Sequence, residues 1–299
     1  MIGTRNSGLG TRLAILAVTA MLTPHVLPAQ TPAPSTDVYV YRLSRPQDAV
    51  INITKRAGYD NQPAYLGARL AWTQQSDGQT DIHWLNLEVP APFTKTLESE
   101  YSAALTPDGK GAAVIRVEMD SAQRLWRFPI GPGTPSVVLA DIKPVGYFAY
   151  LDSTTLALFV LGSPNTLQIA DTRTGKGTVV TTGIGRSLQR VPGGRRASFT
   201  QSVAGKTLLE TVDPTPRADG MFAVDTVATL PDSAEYVVWR SATNVITGAG
   251  SRLMQLQLPS KEWTVLADLS AQGIRRISRL ALSPDGQRLA FVADEPQRP

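Results

Sequence analysis

The 299-residue chain contains no cysteine and only two histidines, His25 and His83. Without cysteine no disulfide and no lipid-modified cysteine can form, and a zinc site would lack most of the nitrogen and sulfur ligands that it needs. His25 lies in a segment that we expect to be removed, so His83 would be the one imidazole of the mature chain. No Gly-x-Ser-x-Gly motif occurs either. The sequence therefore predicts no metal site, no cofactor and no Ser-His-acid triad.

Neither sign of charge dominates the chain. It has 29 Lys+Arg and 25 Asp+Glu, and this small excess does not indicate nucleic-acid binding. Short basic clusters occur at Arg195-Arg196 and at Arg275-Arg276 with Arg279. Because acidic residues are spread throughout the sequence, we interpret these clusters as solvated strand ends.

Long hydrophobic runs are also missing. The apolar stretch at residues 13–22 is too short to span a bilayer. It follows Arg5 and Arg12 and precedes Ala29, an arrangement typical of a secretory signal peptide. We therefore predict a signal peptide at residues 1–29 and a Pro-rich spacer at residues 30–37. The product would be periplasmic or secreted, with no stable membrane insertion after signal removal.

After the leader, the sequence shows a repeat and no stretch with the 3.6-residue period of a helix. An apolar anchor recurs every 41–45 residues. The anchors are Val38, Ile82, Leu125, Leu167, Leu208 and Leu253. This period is typical of β-propeller blades and is not expected of an immunoglobulin-type sandwich. We predict an all-β fold for residues 38–299, a six-bladed β-propeller of four-stranded antiparallel blades.

The strands within a repeat and the closure of the ring follow from the same spacing. The first repeat divides into predicted strands at residues 49–54, 63–66, 69–75 and 81–88, separated by Gly, Asn and Asp residues that favour turns. The last repeat, around Pro284-Asp285-Gly286, lacks a strand, whereas residues 38–43 belong to no complete repeat. We expect this N-terminal strand to complete the last blade.

Two segments resemble a known family. Residues 61–65, 70–73 and 76–84 of the first repeat, and residues 282–292 of the last, resemble repeats of the TolB-like, WD-like β-propeller family. The resemblance is to the propeller module only, residues 38–299. It implies a six-bladed propeller in the bacterial cell envelope, a module commonly used to bind other proteins.

Other motifs are better explained by turns. Residues 200–207 end like a phosphate-binding loop, but residues 208–212 have the pattern of a strand and not of the helix that such a loop must open. Asp77 and Asp81 could give oxygen ligands to calcium, although a hairpin turn explains them better. We predict no nucleotide site, and a weak calcium site is left as an alternative.

Two classes of function remain. The first is an exported, non-catalytic propeller that binds an envelope protein or a glycan as a monomer. The second is a hydrolase or lyase that uses carboxylates in the central funnel. The carboxylates of Glu98, Asp141, Asp152 and Glu235 are available, but their spacing singles out no pair. We therefore favour the non-catalytic propeller.

The predicted partner contact lies on loops. In an antiparallel blade alternate connections emerge on one face, and we expect the Pro-Asp-Gly turns to share a face with the blade-to-blade connections. These connections are predicted at residues 44–47, 90–93, 131–135 and 213–222. The longest combines prolines with residue types enriched at interface centres. We predict that the contact is lined by Arg45, Phe93, Arg217 and Met221, although Phe93 and Phe222 could instead begin buried inner strands.

Overall fold

The computed structural model describes Met1, Gly3 and residues 35–295. The predicted signal peptide, apart from Met1 and Gly3, and most of the predicted spacer lie outside the described residues. The strands in chain order are β1 Thr36–Arg42, β2 Ile51–Asn52, β3 Asp60–Leu66, β4 Arg69–Ser76, β5 Gln79–Asn86, β6 Val89–Pro92, β7 Ser99–Leu105, β8 Gly111–Val117, β9 Gln123–Pro129, β10 Ser136–Leu139, β11 Val145–Tyr150, β12 Thr155–Val160, β13 Thr166–Asp171, β14 Lys176–Thr182, β15 Ile184–Arg190, β16 Ala197–Val203, β17 Lys206–Val212, β18 Val224–Thr229, β19 Val237–Ser241, β20 Asn244–Ala249, β21 Arg252–Gln257, β22 Trp263–Asp268, β23 Ser278–Leu282 and β24 Arg288–Asp294. One 3-10 turn spans Ser270–Gln272, and no helix in residues 35–295 is long and apolar enough to cross a membrane.

The strands form six four-stranded antiparallel sheets, which are the blades of a β-propeller. Blade 1 is β3–β6, blade 2 is β7–β10, blade 3 is β11–β14, blade 4 is β15–β18 and blade 5 is β19–β22. The closing blade has the order β23-β24-β1-β2, with β23 innermost. This architecture confirms the fold predicted from the repeat spacing, including closure of the ring by the N-terminal strand.

The N-terminal contribution to the closing blade is larger than predicted. β1 pairs with β24 from Thr36 opposite Asp294 to Arg42 opposite Arg288. β2 then pairs with β1, so the predicted first strand of the first repeat, residues 49–54, is wrong. That segment is the outer strand of the closing blade, because the chain after β1 turns back and pairs with its nearest neighbour.

The boundary of the ring also differs from the prediction. β1 begins at Thr36, two residues before the predicted start of the propeller at Val38. The Asp37 carboxylate is buried and accepts hydrogen bonds of 2.8 Å from Asn52 and from Thr54. Thr36 and Asp37 are therefore part of the propeller and not of a spacer.

Six apolar clusters fill the gaps between neighbouring blades. Each cluster draws its side chains mainly from two adjacent blades, for example Phe159 of blade 3 with Phe199 of blade 4. The second strands are therefore covered on both faces, and Leu156, Leu158 and Phe291 are fully or almost fully buried. The repeat anchors lie on the third strand of each blade, because an outer strand follows each of them.

The antiparallel order of each blade fixes which connections share an end of the propeller. Turns between first and second strands and connections between third and fourth strands lie at one end, which we call the Pro-Asp-Gly face. The Asp108 and Asp285 turns are on this face, between β7 and β8 and between β23 and β24. The N-terminal ends of all six inner strands lie at the opposite end, which we call the entry face.

Candidate functional site

The central channel is lined by the inner strands β3, β7, β11, β15, β19 and β23, and it contains a cavity of about 630 Å³. Strand pairing makes one position on each inner strand equivalent. These positions are Ala64, Ala104, Ala149, Leu188, Val238 and Ala281. Their side chains are small or aliphatic, so they leave the middle of the channel open.

Two residues earlier on each strand lies a second equivalent set, nearer the entry face, which we call the first ring. Its members are Gln62, Ser102, Tyr147, Arg186, Tyr236 and Arg279, and all six line the cavity. They are the largest polar group in the channel and come from all six blades. The first ring is therefore the candidate site that the topology builds.

Backbone irregularities set the direction of several first-ring side chains. The pairing register shifts at Gln62, Ser102 and Arg279, where the inner strand carries extra residues. Their φ angles are +53°, +52° and +23°, in the left-handed region that residues other than glycine seldom adopt. Bulges of this kind redirect side chains and are common beside functional sites, and such strain persists only where the surrounding structure enforces it.

The positive charge in the channel comes from one side. Arg186, Arg190, Arg240 and Arg279 line the cavity, and its described lining contains no carboxylate. All four lie on inner strands of blade 4, blade 5 and the closing blade. Arg186 and Arg279 are near the entry face, whereas Arg190 and Arg240 are near the Pro-Asp-Gly face, about 13 Å further along an extended strand.

Arg279 lies between two aromatic rings. Its guanidinium carbon is 4.8 Å from the ring centroid of Tyr147 and 4.5 Å from that of Tyr236, distances typical of cation–π contacts. It also donates a hydrogen bond of 2.8 Å to the Tyr147 hydroxyl. Burial alone would lower the pKa of Arg279, but the phenols of Tyr236 and Tyr147 hold that pKa above its ordinary value.

No carboxylate balances this charge directly. Among residues 35–295, neither Arg279 nor Arg186 forms an ion pair with an acidic side chain. The interpretation of Arg279 as a solvated strand end is therefore wrong. No local signal in the sequence marked it, because the direction of its side chain depends on the bulge at this point of β23.

A second cavity of about 670 Å³ opens from the first ring toward the entry face. Gln62, Tyr147 and Arg186 line both cavities, and Tyr59 and Tyr101 are added here. Burial raises the pKa of Tyr59 to about 12 and also raises the pKa of Tyr236. Both phenols therefore stay protonated and can donate hydrogen bonds at neutral pH.

Charge and hydrogen-bonding capacity together define what this channel can hold. Its polar groups are mostly donors, from arginine and tyrosine side chains, and the cavity with four arginines has no acidic lining among the described residues. A ligand that supplies acceptor oxygens and negative charge would satisfy them. The geometry therefore fits an anionic ligand or an acidic part of a larger partner.

The four predicted contact residues are not brought together. Arg217 and Met221 lie in one exposed loop, closed by a hydrogen bond of 2.7 Å from the Arg217 amide to the Met221 carbonyl. Arg45 is exposed on the same face, but in the closing blade, two blades away. Phe93 follows β6 near the entry face and packs against Trp84, with ring centroids 4.8 Å apart. Phe93 therefore cannot share a contact patch with Arg217 and Met221.

The predicted connections on the Pro-Asp-Gly face are partly corrected by the same topology. Residues 44–47, 131–135 and 213–222 do lie at that end, but they join third to fourth strands and do not link blades. Residues 90–93 do not lie there, because they form most of β6 and its exit. These segments were predicted as links between blades because the prediction omitted the outer strands. Its numbering of the strands within each blade was therefore shifted by one.

The carboxylates considered for catalysis are separated. Asp152 forms an ion pair of 2.6 Å with Arg195, and Glu98 pairs with Arg116. Asp141 is exposed on a link between blades, and Glu235 alone reaches the channel, at its entry-face mouth. Within residues 35–295 no group of three or more His, Cys, Asp or Glu side chains could hold a metal ion.

The remaining sequence motifs are structural. His83 stacks on Trp72, with ring centroids 6.3 Å apart, and burial lowers the pKa of its imidazole. Residues 200–207 form the β16–β17 hairpin, which turns at Ala204-Gly205, so the prediction of a strand after that motif is confirmed. Asp77 has a φ of +51° in the turn between β4 and β5, as a hairpin requires.

The ring, its closure and the bulged channel define a six-bladed β-propeller with a basic central channel. Three solved structures with similar folds were compared with it. A protein assigned as TolB from Agrobacterium tumefaciens has a TM-score of 0.66 and 16% identity, covering 89% of this chain and 100% of that one. A gluconolactonase from Xanthomonas campestris has a TM-score of 0.58 and 10% identity, covering 90% and 99%. An oligogalacturonate lyase in complex with manganese has a TM-score of 0.54 and 12% identity, covering 83% and 80%.

At these identities the likeness shows the fold. The fold is that of a TolB-like six-bladed β-propeller, which confirms the resemblance seen in the sequence. The lactone and oligogalacturonate activities belong to the other two proteins. No family model and no curated protein matches the chain.

Proposed function

We propose that the chain is an exported, non-catalytic binding propeller of the bacterial cell envelope. Its partner would be a protein that docks on the Pro-Asp-Gly face and inserts an acidic segment into the channel. The observation that carries this proposal is the cavity with four arginines and no carboxylate in its described lining. Such a cavity attracts acidic groups and repels basic ones, so it favours one kind of partner.

Two further features support docking on this face. Arg190 and Arg240 are exposed at this end of the channel, so an incoming chain would meet them first. The loop at residues 213–222 lies on the rim of the same face and exposes Arg217 and Met221, whose side chain is 62% exposed. The loop and the arginines together offer a charged centre with a partly apolar rim.

The test is capture of the partner from envelope extract on the immobilised protein, followed by cross-linking and identification. The variant Arg190→Gln with Arg240→Gln should weaken capture at least about tenfold, or about 1.4 kcal/mol. Capture should also fall as salt is raised, because exposed charges are screened. The matched control is Arg252→Gln with Arg275→Gln, which removes the same charge away from the channel.

Three outcomes would decide the proposal. Equal capture by both double variants would refute docking at the arginine mouth, the end of the channel that carries Arg190 and Arg240. Capture that survives protease treatment of the extract but not glycosidase treatment would replace the protein partner by an acidic glycan. Turnover of the captured partner would refute a non-catalytic role. Glu235 would then be the candidate catalytic carboxylate in the channel.

A further inference from the structure

We propose that the first ring, together with Tyr59 and Tyr101, is a binding site for a small organic carboxylate. The site lies at the entry-face end of the channel, away from Arg190 and Arg240. It does not depend on a protein partner, and it would bind its ligand whether or not the proposed docking is correct.

The geometry of Arg279 defines how the ligand would bind. The guanidinium carbon lies over the rings of Tyr147 and Tyr236, 4.8 and 4.5 Å from their centroids. One Nη2 hydrogen is donated to the Tyr147 hydroxyl, and the remaining N–H groups have no partner among the described residues. A planar edge with parallel N–H groups matches the two oxygens of a carboxylate, which is why arginine is favoured for that group.

The surrounding groups add donors. Arg186 lines both cavities and has no ion-pair or hydrogen-bond partner among the described residues. The hydroxyl of Tyr147 accepts from Arg279, so its own proton is free to donate. Glu235 is exposed and borders the same entry-face cavity, so the ligand carboxylate would bind at the arginine side of the cavity, away from it.

An organic body on the anion is indicated by the rest of the lining. The entry-face cavity is also bordered by the rings of Tyr59 and Tyr101 and by Leu161, which is 40% exposed. Its volume of about 670 Å³ lies in the range of sites that enclose small ligands with apolar walls and a few polar groups. Inorganic phosphate would satisfy the donors but would leave these apolar walls in water.

The backbone strain at the first ring would help to hold its donor groups in a fixed position. Arg279 has a φ of +23°, and Gln62 and Ser102 are also in the left-handed region. The Gln62 amide oxygen accepts from the Ser102 amide at 2.8 Å and from the Thr73 hydroxyl at 2.9 Å, which holds blades 1 and 2 together at the ring. A rigid ring keeps the donors in place before the ligand arrives, which reduces the entropy lost on binding.

The test is calorimetric titration of the purified full-length protein with benzoate, benzamide and inorganic phosphate. Benzoate should bind, while neutral benzamide and phosphate should bind at least about tenfold more weakly. Arg279→Gln should weaken benzoate binding at least about tenfold, and Arg279→Lys should restore only part of the loss because lysine lacks the planar fork. The control Arg173→Gln, an exposed arginine on the β13–β14 turn, should change binding less than about twofold.

Three outcomes would refute the small-carboxylate site. If wild-type protein does not bind benzoate, if Arg279→Gln binds it equally well, or if phosphate binds as tightly, the proposal is wrong. Where circular dichroism shows that Arg279→Gln does not fold, Arg186→Gln and Tyr236→Phe replace it, and each must weaken benzoate binding. Benzoate binding by the Arg190→Gln, Arg240→Gln protein is measured in parallel and should change less than about twofold, which separates the small-anion site from docking.

Discussion

The two halves of the channel wall use equivalent strand positions and differ in their chemistry. At the first-ring positions blades 1 to 3 place Gln62, Ser102 and Tyr147, whereas blades 4 and 5 and the closing blade place Arg186, Tyr236 and Arg279. All four channel arginines belong to this second half, which we call the basic half; blades 1 to 3 form the neutral half. The strand pairing makes these positions equivalent, so the difference in charge comes from which side chains occupy them.

The buried acidic groups of the neutral half are kept out of the channel. Asp60 and Glu100, on the inner strands of blades 1 and 2, are buried. Asp60 pairs with Arg56 at 3.0 Å, and Glu100 lies 3.5 Å from Arg116. Neither acid lines the channel cavity that contains the four arginines. A repeat protein can therefore make a one-sided site in a symmetric ring by changing which residues face the axis.

The largest expected effect comes from breaking the closing blade, which carries Arg279. Deletion of residues 38–43 removes most of β1 and leaves β24 as an open edge that can pair with other chains. We expect loss of the cooperative thermal transition and of the monomeric state. Size-exclusion chromatography and circular dichroism would show this, with deletion of residues 30–34 as the control. An unchanged melting temperature and monomer would mean that β1 does not hold the basic half together.

A smaller effect is expected from crowding the packing of Gly248 against Ile277, two residues before Arg279. A Cβ at Gly248 would lie 2.4 Å from Ile277 Cγ2 and 2.9 Å from the Ile277 carbonyl oxygen. Gly248→Ala should therefore reduce the free energy of unfolding by about 1–3 kcal/mol, measured by urea denaturation. Gly194→Ala, which meets nothing within 4 Å, is the control and should stay within about 0.5 kcal/mol. Similar losses in both variants would argue against tight packing at Ile277.

The rim of the basic half can be tested with the loop at residues 213–222. Replacing Arg217 and Met221 together by alanine should weaken partner capture at least about tenfold, or about 1.4 kcal/mol, while the melting temperature is unchanged. The matched control in the neutral half is Lys176→Ala with Val179→Ala, an exposed basic and apolar pair on β14. If the control weakens capture as much, the partner does not select the basic half.

The neutral half should show its own signature in pH dependence. Burial raises the pKa of Glu100 from 4.5 to about 7. Between these values the folded protein retains a proton that the unfolded chain has lost, so the free energy of unfolding should fall as pH rises from about 4.5 to about 7. Glu100→Gln should flatten this slope in urea denaturation at several pH values. The exposed Glu262→Gln is the control, and equal flattening in both variants would count against Glu100 as the source.

The smallest expected effect is at His83, in the neutral half. Its imidazole stacks on Trp72, and the described residues provide no partner that would make it a base. His83→Ala should leave partner capture unchanged and lower the melting temperature only slightly. A loss of capture in a folded protein would extend the functional surface into blade 1.

The architecture could be predicted from the sequence because it depends on spacing. The anchors at Ile82, Leu125 and Leu167 recur at nearly constant intervals and fill the third strand of successive blades. The outer strands of two blades could not be found, because β2 has two residues and the four residues of β6 include two prolines. A strand so short has no periodicity to detect.

The candidate site could not be predicted, for a different physical reason. The direction of the Arg279 side chain depends on a bulge on β23, and nothing in the local sequence marks a bulge. Its partners Tyr147 and Tyr236 are far away in the sequence and meet it only when the ring closes. A site made from single residues of separate repeats leaves no motif, whereas Arg217 and Met221 were visible because they share one loop.

The pairing of Thr36 with Asp294 also decides how the protein can be presented to others. Both residues lie at the entry face, since β1 starts there and β24 ends there. Any attachment made through either residue, whether a tether, a fused domain or a solid support, would therefore hold the propeller from one side. The Pro-Asp-Gly face would then point away from the point of attachment. Its arginine mouth would stay accessible to a partner in solution.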